Sequence, residues 1–174
     1  MAESTGRGID IDPTDGRDES ASQRADRNWA EILQELRVTQ TGTQIISGFL
    51  LSIVFQQRFH ELDTFQVGFY LALVVIAAAC TALALAPVAL HRQLFRRHEK
   101  VRAVVIANIL LRATLALVAV LTTGVVFFIF DVTLNRTAAI TAACVVLVLL
   151  VLLLLVFPRS VAQILRRTEP AEHA

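Results

Sequence analysis

The sequence predicts an all-α polytopic membrane protein: four transmembrane helices in an antiparallel bundle, preceded by an N-terminal amphipathic interfacial helix. Three observations carry that prediction. The 174-residue chain is 55% apolar and only 18% charged, with a mean hydropathy of +0.61; a soluble domain carries about 25% charged residues. Four stretches hold no Asp, Glu, Lys or Arg: 38–57, 64–91, 113–130 and 137–158. The basic residues near these stretches gather at alternate ends. Together these features exclude a DNA-binding domain, a disordered chain and an ordinary cytosolic enzyme.

About 20 apolar residues cross roughly 30 Å of hydrocarbon at 1.5 Å per helical residue. The spans are expected at about 38–57, 65–90, 103–130 and 137–157. All four read as helices, because lipid leaves backbone groups no partner outside their own segment and nothing alternates with the period of a barrel strand. The first span is expected to act as its own insertion signal. Arg24, Arg27, Arg37, Arg92, Arg96, Arg97, Lys100, Arg102, Arg159, Arg166 and Arg167 flank one side, against Arg58 and Arg136 on the other. By the positive-inside rule both termini are cytoplasmic. The outer loops 58–63 and 131–136 are too short for an external domain.

Residues 1–25 have almost no apolar content and are expected to be a disordered cytoplasmic tail; 159–174 are expected to form a cytoplasmic C-terminal tail. Asn28 and Glu31 have capping-box spacing. Trp29, Ile32, Leu33 and Leu36 then line one face of an interfacial helix over about 28–37. The fourth span, nearly all Val and Leu from Val145 to Val156, carries no chemistry and is expected to have the greatest lipid exposure.

The candidate functional residues are an intramembrane polar network of Glu35, Arg37, Gln40, Gln44, Ser47, Asn108 and Arg112. Arg37, Gln40, Gln44 and Ser47 recur at helical intervals and share a stripe expected to face other helices. It serves as a packing seam, a polar lining for a solute path, or a contact face for a partner subunit. Arg112 either snorkels to the interface, pairs with Glu35 or Glu31, or serves a substrate or proton path. Ala78, Ala82 and Ala86 are spaced for close helix contact. Proton relays commonly use intramembrane carboxylates, and no Asp or Glu lies within a span core. His60, Glu61 and Asp63 read as a solvated loop. Cys80 and Cys144 are not expected to bridge. No catalytic, metal or cofactor site is assigned.

The runs Asn28–Gln44 (NWAEILQELRVTQTGTQ), Gly48–Phe59 (GFLLSIVFQQRF), Ala86–Phe95 (APVALHRQLF) and Phe130–Thr137 (FDVTLNRT) resemble an actinobacterial integral membrane family of unknown function. The resemblance covers roughly residues 26–158. It implies four helices and a plasma-membrane location; members are sometimes labelled sodium:proton antiporters.

The expected function is that of a non-enzymatic accessory or interaction component of the plasma membrane. The alternative is a small transporter or ion-translocating protein using Gln40, Gln44, Asn108 and Arg112. Partners are the bilayer itself, anionic headgroups at Arg92, Arg96, Arg97 and Lys100, and a homo-oligomer or larger membrane complex; no nucleic acid is expected.

Overall fold

The computed structural model describes residues 21–94 and 100–168. Among them every regular element is helical: α1 (Ala21–Ile53), a 3-10 turn (Gln57–Glu61), α2 (Thr64–Leu94), α3 (Lys100–Thr133), α4 (Arg136–Val151), a π-helical segment (Leu152–Val156) and α5 (Phe157–Thr168). Among the described residues three stretches are long and apolar enough to cross a membrane: Thr64–Pro87, Val104–Thr133 and Arg136–Val161. α1 is not among them, because its Thr, Gln and Ser residues dilute its apolar content.

Several boundaries differ from the sequence reading. α1 begins at Ala21, so residues 21–25 are helical, and residues 1–20 lie outside the described residues. Asn28 sits inside α1 and caps nothing, because seven helical residues precede it. The expected interfacial helix and first span are one continuous helix ending at Ile53, with 54–57 in the following turn. α3 runs through Asp131 to Thr133, so the outer loop expected at 131–136 shrinks to Leu134 and Asn135. Asn135 is extended (φ −167°, ψ 169°), and its side chain accepts a 2.9 Å bond from the Ala138 amide, starting α4.

Burial along the helices recurs in sevens. In α1 the buried positions include Trp29, Leu36, Thr43 and Leu50; in α2, Tyr70, Ala77 and Ala84, with Leu73, Cys80 and Pro87; in α3, Ala107, Thr114, Leu121 and Phe128. A 3.5-residue repeat is the period of knobs-into-holes packing. The seams of α2 and α3 include Ala77, Ala84, Ala107 and Thr114, small residues that let backbones approach closely. The small-residue face read at Ala78, Ala82 and Ala86 is not the packed one, since Ala78 and Ala82 are exposed and Ala86 is half-buried while Ala77 and Ala84 are buried. In the stretch Arg136–Val161, which includes α4, none of the most apolar window is buried inside the protein.

The chain divides into two compact units. In the first (1–51 and 77–117), Trp29, Ile32 and Leu36 of α1 pack with Ala84 of α2 and with Ala107 and Leu111 of α3. In the second (52–76 and 118–174), aromatic rings join α2 to α3: Phe69 to Phe127 at 4.9 Å and Tyr70 to Phe128 at 6.0 Å between centroids. Gly124 permits the close approach here, because a Cβ at that position would lie 2.5 Å from Cδ2 of Leu73.

Hydroxyls in the helices bond to their own backbone. Thr39, Thr41, Thr43, Ser47, Thr81, Thr114, Thr122, Thr123 and Thr141 each donate to the carbonyl four residues back, at 2.8–3.1 Å. Such groups are satisfied wherever the helix sits.

Gly124→Ala is expected to destabilise the protein by about 1–3 kcal/mol through overpacking against buried Leu73. Gly68→Ala, with nothing within 4 Å of the added carbon, is expected to be neutral or stabilising by up to about 1 kcal/mol. Thermal unfolding in mild detergent measures both; equal effects would refute the close approach.

Candidate functional site

The predicted polar network falls within the first unit, and no hydrogen bond or ion pair joins the side chains of its members among the described residues. Glu35, Arg37, Gln44 and Arg112 are exposed, while Gln40, Ser47 and Asn108 are half-buried. No ion pair joins Glu35 to Arg112 among the described residues, and the Ser47 hydroxyl is taken by the Thr43 carbonyl at 2.8 Å. The cause is the register of α1. Its buried seam follows Trp29, Leu36, Thr43 and Leu50. The Arg37–Gln40–Gln44–Ser47 stripe therefore straddles the edge of that seam, with Gln40 and Ser47 beside it and Arg37 and Gln44 turned away. Arg112 follows buried Leu111 and is carried out by the same geometry.

α1 consequently has three faces. One is the buried seam. A second exposes Val38 (70%), Ile45 (59%) and Phe49 (70%). The third is polar, running through Gln34, Arg37, Thr41, Gln44 and Gly48, all exposed. Thr41 bonds to the Arg37 carbonyl at 3.0 Å, whereas the Gln44 amide has no partner among the described residues. A side chain placed at Gly48 would meet nothing within 4 Å, so this face is open to close approach.

A second polar cluster lies in the other unit. Asp131, near the end of α3, is 8% exposed. Its Oδ1 accepts from Arg136 Nε at 2.7 Å, and its Oδ2 accepts from Gln66 Nε2 at 3.1 Å. Gln66 is fixed in turn by reciprocal bonds with Asp63: the Gln66 amide donates to Asp63 Oδ1 (2.8 Å) and the Asp63 amide to Gln66 Oε1 (3.1 Å). This is a capping box at the start of α2. The Arg136 guanidinium lies 3.9 Å above the Phe65 ring and 5.8 Å from that of Phe127, adding cation–π attraction. A cation in the first turn of α4 opposes the helix dipole, and Asp131 offsets it.

The sequence reading missed this cluster because it placed Asp131 and Asp63 in solvated loops. Two signals were present: the Asp-x-x-Gln spacing at 63–66, and an acid five residues before an Arg, both beside Phe. Chemically the cluster is a clamp. Both carboxylate oxygens are engaged, so it ties the starts of α2 and α4 to the end of α3. Cys80 is buried and Cys144 exposed, both as free thiols. Among the described residues no three His, Cys, Asp or Glu side chains gather as a metal site.

A protein-family model matches residues 18–158. The chain belongs to DUF6328, a family of unknown function. The DUF6328 match takes in the polar face of α1 and the whole Asp131 clamp, and it ends at Pro158, beside the start of α5. Neither the curated proteins nor the solved structures contain a match to the chain.

Two outcomes are expected in detergent unfolding. Arg136→Met leaves a carboxylate that is 3% exposed without its cation. It should destabilise by about 2–3 kcal/mol, less than a fully enclosed pair loses because Arg136 itself is 46% exposed. Adding Asp131→Leu should recover part of that loss; a double variant as weak as the sum of the singles would rule out the clamp. For Glu35→Ala and Arg112→Ala, additivity within about 0.5 kcal/mol is expected, and a larger coupling would mean that the two side chains do meet.

Proposed function

We propose that the protein is a four-span integral protein of the plasma membrane, with both termini cytoplasmic, and that it works as a non-enzymatic accessory or interaction component. α1 supplies the fourth span over its uncharged stretch from Val38, and the spans run antiparallel. Arg92, Arg96, Arg97 and Lys100 attract anionic headgroups on the cytoplasmic side; Arg96 and Arg97 lie outside the described residues, as do the side chains of Arg92 and Lys100.

The observation that carries this reading is the polar face of α1. A buried apolar seam, an exposed apolar strip and an exposed polar strip on one helix match three neighbours: its own unit, lipid, and something able to hydrogen-bond. A carboxamide in hydrocarbon is costly without a partner, and Gln44 cannot bond back to its own helix as the hydroxyls do. Another membrane helix, from a larger complex or a second copy, satisfies it, each such bond contributing about 0.6 kcal/mol. Transport is the second reading, favoured by the same strip if it lines a water-filled path.

A photo-crosslinking residue in place of Gln44 should give protein adducts in intact membranes, while one in place of lipid-facing Val120 should not. Equal labelling at both sites would defeat the interaction reading. Reconstituted protein should show no Na⁺-dependent or pH-gradient flux; robust flux abolished by Gln44→Leu would establish transport instead.

A further inference from the structure

We propose that α5 is an interfacial helix that lies on the anionic headgroup layer, swung down from α4 at the π-helical segment. This rests on the reading of α4 as a membrane span. From Arg136 to Thr168 the helix is uninterrupted, about 50 Å at the standard rise. Roughly 30 Å of that fills the hydrocarbon. Counted from Thr137, the chain emerges near Val156, where the composition changes: 137–158 carries no charge, and Arg159, Arg166 and Arg167 follow.

α5 is the most amphipathic helix of the chain. By helical spacing Phe157, Val161, Ile164 and Leu165 form one stripe, and Arg159, Gln163, Arg166 and Arg167 the other. Phe157 is 63% and Val161 37% exposed, so the start of the apolar stripe is open among the described residues. A helix continuing straight out of the bilayer would hold that stripe in water. Lying flat, it sets the stripe among acyl chains and the arginines at phosphate depth, the geometry of interfacial basic helices. Charge complementarity selects an anionic surface, since the charged residues of α5 are Arg159, Arg166 and Arg167, with Glu169 and Glu172 only after its end.

The sequence supplies a place for the proposed bend. Pro158 has no amide hydrogen for the Leu154 carbonyl, and its ring crowds that oxygen. The ladder widens accordingly, with the Phe157 amide donating to Leu152, five residues back. Proline and a π turn are both recognised bending points. Arg159 Nη1 donates to the Leu155 carbonyl at 2.9 Å, a bond that a lipid phosphate can replace.

The full chain, with Cys80→Ala and Cys144→Ala, tests this in vesicles of neutral phosphatidylcholine or of phosphatidylcholine with one-third phosphatidylglycerol. A fluorophore is placed at Val161→Cys, Gln163→Cys or Val148→Cys, and acyl-brominated lipid serves as quencher. In anionic vesicles Val161→Cys should be strongly quenched and Gln163→Cys should not. Exchanging Arg159, Arg166 and Arg167 for Gln should reduce the docked population by on the order of a hundredfold. Equal quenching at 161 and 163 overturns the proposal, as does quenching at 161 indifferent to lipid charge and to the arginines. Val148→Cys should be quenched in every vesicle; if it is not, the span reading of α4 has failed, a distinguishable result.

Discussion

Hydrocarbon offers no hydrogen bonds, and this constraint orders the structure. The long apolar surfaces of α2, α3 and α4 suit such a solvent, and so does the treatment of polar groups on the same helices. Thr and Ser hydroxyls turn back to carbonyls of their own turn. Asp131 is held by Arg136 and Gln66, and Gln66 by Asp63. Where polar groups cannot be satisfied locally, they mark surfaces that need something else. Gln44 on α1 is the clearest case.

The clamp and the seams divide the work of holding the fold. The heptad seams combine large apolar side chains such as Leu50, Leu73 and Leu121 with small ones such as Ala77, Ala84, Ala107 and Thr114, which allow close contact. The Asp131 clamp is directional. One carboxylate joins residues from two helix starts, and the aromatic rings of Phe65 and Phe127 sit against the cation that completes it. Within its unit, that combination fixes how the ends of α2, α3 and α4 meet.

Function follows from what is left uncovered. α1 combines a seam that packs inward with a polar strip that does not, and the DUF6328 match spans all of it. α1 falls short of the apolar content of the three helices long enough to cross a membrane, and its exposed Gln and Thr residues are what lower it.

Much of the fold was legible in the sequence. The all-helical class, three of the spans and the exposure of α4 follow from uninterrupted apolar runs, because hydropathy is a local property that depends on no neighbour. The hydroxyls' partners were equally local. Tertiary structure decided the rest. Whether Gln44 or Thr43 is buried turns on a rotation of α1 by one residue, about 100°, and only the competition of Trp29, Leu36 and Leu50 for the interior settles it. Asp131 and Gln66 are far apart in the chain, so their bond, and the burial of a carboxylate that composition assigns to water, could arise only once α2 and α3 were side by side.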